Sequence, residues 1–195
     1  MHGTKFSLSL LEKAAPIRLL LTDCDGVLTD AGVYYSEQGE ALKRFSMRDG
    51  MGVERLRELA GVETGIVTGE NSPIVMHRAA KLGITELHPG AKNKHQVLLK
   101  ILEYRQLTPE QVAFIGDDLN DEAILRSVGL SACPADAMEG ILKISDYICL
   151  LRGGQGAFRE FAELIIQAKT TGTLPDNAQS NDHHFFCNSL TTNKL

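Results

Sequence analysis

Leu19-Leu20-Leu21-Thr22-Asp23-Cys24-Asp25-Gly26-Val27 is an apolar run that ends in two aspartates one residue apart and a glycine. A buried strand stopping at that point carries both carboxylates to its carboxyl end, where open α/β sheets bind their ligands. Aspartate and glycine also form ordinary turns, so the pair alone could simply end a strand. The rest of the chain bears on which it is.

Apolar, β-rich segments recur at residues 17–22, 64–67, 85–88, 112–115 and 146–150, with helical patterns between them. The alternation predicts an α/β fold, a Rossmann-like doubly wound parallel sheet with helices on both faces. Helices are expected at 50–60 and 93–104. Ser72 before Pro73, Gly83 after Leu82, and the capping-box pattern Thr108-Pro109-Glu110-Gln111 add start and stop signals. One stretch departs from the alternation: Gly32-Val33-Tyr34-Tyr35 and Ala41-Leu42-Lys43-Arg44-Phe45 flank residues 36–40 as the arms of a β-hairpin. Following the aspartate pair directly, it should overhang the site.

A length of 195 residues with 43% hydrophobic and 23% charged content suits one domain with a real core. That domain is expected over residues 1–169, and the polar, turn-rich stretch 170–195 reads as a flexible C-terminal tail. Its His183-His184-Phe185-Phe186 either does nothing or docks on a neighbour or a metal. The net charge of −5, with no Lys/Arg-rich run, gives no support for a nucleic-acid or membrane partner, leaving a small molecule. Cys24, Cys133, Cys149 and Cys187 are scattered without metal-ligand spacing and read as reduced, structural thiols. Lys5, Glu12 and Lys13 interrupt the apolar pattern of the first sixteen residues, and no apolar stretch approaches the ~18 residues of a membrane span. The expected location is cytoplasmic.

Three more segments carry groups suited to phosphate. Thr68-Gly69-Glu70 follows the second parallel strand, where the Thr68 hydroxyl and backbone N–H groups can hold an anion or merely make a turn. Lys94 stands at a helix start, at the positive end of the dipole, so it needs a nearby anion unless it is solvated. Gly116-Asp117-Asp118-Leu119-Asn120-Asp121 packs three carboxylates into five residues. That is costly unless they share a cation, although any one of them could cap a helix.

In this order, Asp23-x-Asp25, Thr68, Lys94 and Gly116-Asp117-Asp118 resemble the haloacid dehalogenase superfamily of aspartyl-phosphate phosphatases, over roughly residues 17–169. The resemblance implies that Asp23 attacks phosphorus and that Asp25 serves as acid and then base. It implies Mg²⁺ on Asp23, the Asp25 backbone carbonyl and Asp117, with Asp118 and Asp121 supporting that set from behind. Thr68 and Lys94 would clamp the phosphoryl oxygens. An acid at Asp25 favours phosphate esters over carbon–halogen bonds. Neither gap between these motifs holds a cap domain, so a neighbouring subunit would supply the lid, with the hairpin as its assembly element.

The stretches Asp25-Gly26-Val27-Leu28-Thr29-Asp30, Phe45-Ser46-Met47-Arg48-Asp49-Gly50 and residues 152–160 are similar to the 3-deoxy-D-manno-octulosonate 8-phosphate phosphatases. That similarity implies a homotetramer releasing the terminal phosphate of a sugar acid in lipopolysaccharide precursor synthesis. Arg78 and Arg152 become candidate partners of substrate carboxylate or phosphate, beside Gly69 and Glu70. Glu70 departs from the arginine often found there in that family. With Arg78 it resembles the phosphatases of nine-carbon keto-deoxy sugar acid 9-phosphates, which stay open as an alternative. A phosphoacceptor switch of the receiver type, which has its acceptor on the third strand, and a non-catalytic assembly domain are the rival classes.

Overall fold

The computed structural model describes residues 6–171. The chain runs α1 (Leu8–Ala14), β1 (Leu19–Thr22), β2 (Thr29–Ser36), β3 (Gly39–Phe45), α2 (Met47–Ala60), β4 (Glu63–Val67), α3 (Pro73–Leu82), β5 (Glu86–His88) and α4 (Lys94–Arg105). It continues through β6 (Val112–Ile115), α5 (Glu122–Leu125), β7 (Leu130–Cys133), α6 (Glu139–Leu142), β8 (Tyr147–Ile148) and α7 (Ala157–Thr171). Of the expected tail only Thr170 and Thr171 are described, as the end of α7; His183, His184 and Cys187 lie outside the described residues.

Six strands form one parallel sheet in the order β5-β4-β1-β6-β7-β8, and β2 pairs with β3 as a separate antiparallel hairpin. Strand β7, Leu-Ser-Ala-Cys, was not among the expected strands because it lacks the β-branched and aromatic residues that mark one in sequence. The central strands β1, β6 and β7 bury both faces, as does β4 beyond Glu63. Leu20, Ile66 and Ala113 pack with residues of α1, α2, α3 and α7, while Leu19, Leu21, Val112 and Phe114 pack with α4, α5 and α6. The chain leaves β1 towards β4 on one side and returns to β6 on the other. The carboxyl end of β1 is thus the place where such a sheet opens a crevice.

Local chemistry explains several helix starts. The Ser46 hydroxyl accepts from the N–H groups of Arg48 (3.1 Å) and Asp49 (3.4 Å), so α2 begins three residues before the expected Gly50. Asn93 accepts from the Gln96 N–H at 3.1 Å and starts α4 at Lys94. Thr108-Pro109-Glu110-Gln111 closes only a three-residue 3₁₀ turn, because β6 follows at once. Helix α7 is capped from afar: the buried Asp49 accepts from the N–H groups of Gly156 (3.2 Å) and Arg159 (3.0 Å).

Candidate active site

Asp23, Thr68 and Gly116 each stand one residue past the end of a strand and still belong to the ladder. The Asp23 N–H donates to Ile115 O (3.0 Å), Thr68 N–H to His88 O (3.1 Å) and Gly116 N–H to Ala132 O (3.2 Å). With Ile66 opposite Thr22 and Thr22 opposite Ile115, the register sets Asp23, Thr68 and Asp117 along one edge of the sheet. Lys94 comes in from the first turn of α4.

Lys94 finds its anions. Its side chain is 1% exposed, and Nζ lies 2.9 Å from Asp23 Oδ1 and 2.5 Å from Asp121 Oδ1. Burial works against the ammonium, but the two carboxylates outweigh it and hold Lys94 charged above the usual lysine range. Asp23 Oδ1 also accepts from the Cys24 N–H at 2.7 Å. Burial and then repulsion from Asp121 exceed the help from Lys94, so the Asp23 carboxyl is pushed up from 3.8 to about 7.

Asp121 is committed within the protein, since its second oxygen accepts from the Asp117 N–H at 3.1 Å. A Cβ at residue 116 would lie 2.4 Å from that oxygen, so only Gly116 allows the approach. Asp117 is the opposite case: its Oδ1 is buried without a hydrogen-bond partner, and burial, Asp23 and Asp121 push its carboxyl to about 8. Ligand atoms of Asp23, Asp117 and Asp121 gather within 4.8 Å of one another. Three crowded, mutually repelling carboxylates, with Asp117 Oδ1 left without a partner, fit a hard divalent cation. Asp23 and Asp117 are its ready donors, because Asp121 spends both oxygens on Lys94 and the Asp117 backbone. Exposed Asp118 turns its carboxylate to its neighbour's N–H, accepting from Leu119 at 2.6 Å.

Gly26 takes φ +91°, and a Cβ there would sit 1.9 Å from Asp117 Oδ2. The loop after β1 lies that close to the loop after β6. Gly153 likewise packs on the Gly26 carbonyl, where a Cβ would fall 1.8 Å from the oxygen, and Gly154 N–H donates to Val27 O at 2.8 Å. These contacts bring exposed Arg152 beside the aspartate loop. Gly69 and exposed Glu70 lie on the loop after β4, where the Thr68 hydroxyl accepts from the Glu70 N–H at 3.3 Å. Arg78 is engaged inside the fold: it donates to Ser46 O at 3.0 Å and stacks 5.5 Å above the Phe45 ring.

Asp25 is held by residues the sequence reading did not single out. Thr29 Oγ1 donates to its Oδ1 at 3.1 Å, and Lys43 Nζ lies 2.5 Å from its Oδ2. Lys43 comes from the hairpin and shares a face of β3 with partly buried Phe45; that two-residue period was the available signal. Among the described residues no cap domain intervenes: the hairpin and α2 fill the stretch before β4, and α3 with β5 fill the stretch before α4.

Known proteins resemble this chain over most of its length. A model of haloacid dehalogenase-like hydrolases matches residues 37–129. The chain is 41% identical to the 3-deoxy-D-manno-octulosonate 8-phosphate phosphatase of Escherichia coli over 163 residues, 84% of this chain and 86% of that protein. The crystal structure of the same-named phosphatase from Yersinia pestis superposes with a TM-score of 0.81 at 40% identity, covering 85% of this chain and 89% of the other. A Moraxella catarrhalis structure of that phosphatase in complex with magnesium, phosphate and KDO superposes at 0.82 with 33% identity, covering 85% of this chain and 95% of the other.

Proposed function

Because the chain belongs to the 3-deoxy-D-manno-octulosonate 8-phosphate phosphatase family of haloacid dehalogenase-like hydrolases, we propose that it hydrolyses the terminal phosphate of that eight-carbon sugar acid. It is a Mg²⁺-dependent phosphomonoesterase serving lipopolysaccharide precursor synthesis. The observation that carries the chemistry is the strand-end pair, with Asp23 against Lys94 and Asp25 gripped two residues on.

Asp23 attacks phosphorus, and the sugar oxygen leaves with a proton from Asp25. Asp25 then takes a proton from the water that cleaves the acyl phosphate, which returns Asp23 and releases inorganic phosphate. Lys94 and Thr68 face the charge that spreads over the phosphoryl oxygens. Asp23, the Asp25 carbonyl and Asp117 would hold Mg²⁺, which when bound would neutralise the repulsion between carboxylate and phosphate. Arg152 and Arg78 remain candidates for the substrate carboxylate or phosphate, with Gly69 and Glu70 on the adjoining loop.

Phosphate release from octulosonate 8-phosphate should exceed that from a nine-carbon keto-deoxy acid 9-phosphate by about tenfold or more in kcat/KM, and should vanish without Mg²⁺. Preference for the nine-carbon ester would overturn the substrate and make Glu70 a specificity residue. The relatives do not favour that alternative.

Mg²⁺ binding should also be legible in stability. Asp23 near 7 and Asp117 near 8 both stand above the 3.8 of an unfolded aspartate. The metal-free fold therefore binds extra protons and loses stability as pH rises from about 4 through 8. A divalent cation compensates the charge that appears, so saturating Mg²⁺ should raise Tm at pH 8 by at least about 3 °C more than at pH 5.5. Equal gains at both pH values would contradict this site.

Exposed Tyr34 (66%), Tyr35 (75%) and Leu42 (64%) on the hairpin support the proposal that copies assemble through it into a homotetramer whose neighbours supply the lid. Light scattering should report four subunits; a fully active monomer would refute the shared lid. No helix among the described residues is long and apolar enough to cross a membrane, which is in keeping with the proposed cytoplasmic location.

A further inference from the structure

The hairpin does more than overhang the site. Lys43, on β3, buries a four-carbon stem until its side chain is 1% exposed, and its ammonium meets Asp25 Oδ2 at 2.5 Å and Glu40 Oε2 at 3.4 Å. Thr29, the first residue of β2, holds the other Asp25 oxygen at 3.1 Å. Glu40 in turn accepts from the Ser72 hydroxyl at the start of α3, which leaves the Ser72 hydroxyl without its capping role. Both hairpin strands thus grip Asp25, and the hairpin itself is tied to the loop that follows Thr68.

A carboxylate that must deliver a proton to one oxygen and later collect one from water on the same side has to keep a fixed orientation. A free Asp side chain has two soft torsions and no such restraint. An ammonium on a buried side chain, held between Asp25 and Glu40, supplies it, unlike an exposed ion pair whose long side chains wander. We infer that Lys43 is a positioning residue for Asp25, so that the hairpin is part of the acid–base machinery within a single chain. The assignment rests on the acid–base role given to Asp25 above.

Lys43→Met should lower kcat for octulosonate 8-phosphate by about 10²-fold while KM stays within about threefold, and Lys43→Arg should restore most of the rate. In an Asp25→Asn background, Lys43→Met should cost nothing further, because the group it positions is gone. With p-nitrophenyl phosphate, whose leaving group departs without a proton, Lys43→Met should release its first equivalent of p-nitrophenolate at the wild-type rate on rapid mixing. Thermal melts check folding, and if Lys43→Met folds poorly, Lys43→Gln is read by the same criteria. Unchanged kcat, a raised KM with kcat intact, a slowed first equivalent, or an undiminished loss in the Asp25→Asn background each overturns the positioning role. If Asp25→Asn alone turns over normally, the acid–base role of Asp25 falls and the positioning role with it. If Asp25→Asn is inactive and Lys43→Met is not, Asp25 keeps its role and only Lys43 loses its own.

Discussion

Asp23→Asn should abolish phosphate release, a loss of about 10⁴-fold or more, and yet melt no lower than the parent protein at pH 8 in the absence of divalent cations. The activity loss follows from chemistry, since an amide nitrogen and oxygen cannot form the acyl phosphate. The stability follows from the surroundings. Burial and Asp121 push the Asp23 carboxyl to about 7, so above that pH the fold carries a charge it disfavours. An isosteric neutral side chain removes that cost, and Lys94 keeps Asp121 as its partner at 2.5 Å. Phosphate release and a thermal melt on the same preparation check both halves. Appreciable residual turnover would remove Asp23 as nucleophile, and a Tm several degrees lower would show that its charge supports the fold.

Lys94→Met should cost on both counts. Its side chain and that of Asp121 are almost wholly buried, and Asp23 is 5% exposed, so removing the ammonium strands two carboxylates in the interior. Breaking a buried pair in this one-sided way typically costs about 3–5 kcal/mol, or roughly 10 °C in Tm for a chain of this size. Phosphoryl transfer should fall by about 10²-fold or more, through the lost clamp on the transferring group. At pH 5, where the stranded carboxyls take up protons, the stability deficit should shrink. A melt unchanged at pH 8 would mean that Lys94 is not the internal counter-ion, and full activity would mean that it does not face the phosphoryl group.

The two variants separate properties that sequence presents together. Asp23 and Lys94 both belong to the resemblance, yet one is a charge the fold tolerates for the sake of chemistry and the other is a charge the fold requires. This difference lies in burial and in the third group, Asp121, whose carboxylate joins Lys94 to the Asp117 backbone. Asp118, three residues earlier and chemically identical, is exposed and simply caps the turn that follows it. The resemblance placed both behind the metal ligands; burial distinguishes them.

Much of the fold was legible because its signals are local. An apolar run of strand length, a serine or asparagine before a helix and a glycine after it act within a few residues, and β1, β4 and β6, with α3 and α4, formed within a residue or two of where those signals put them. Where a local signal met a competing neighbour it gave way. The Ser72 hydroxyl leaves its helix for Glu40, and Thr108 opens a single 3₁₀ turn because β6 is already beginning. Strand β7 had no signature of its own and exists because β6 and β8 pair with it on either side.

By itself, then, the sequence determined the parallel α/β plan, the aspartate pair at the end of β1, and the order Asp23, Thr68, Lys94, Asp117, since periodicity and motif order survive in one dimension. Tertiary structure alone decided what each group touches. Lys43 reaches Asp25 across 18 residues, Lys94 reaches Asp121 across 27, and Asp49 caps α7 across more than 100. The reason is physical: the energy of a charge or a hydrogen bond depends on distance and burial, and the folded chain sets both by bringing together segments that are far apart in sequence.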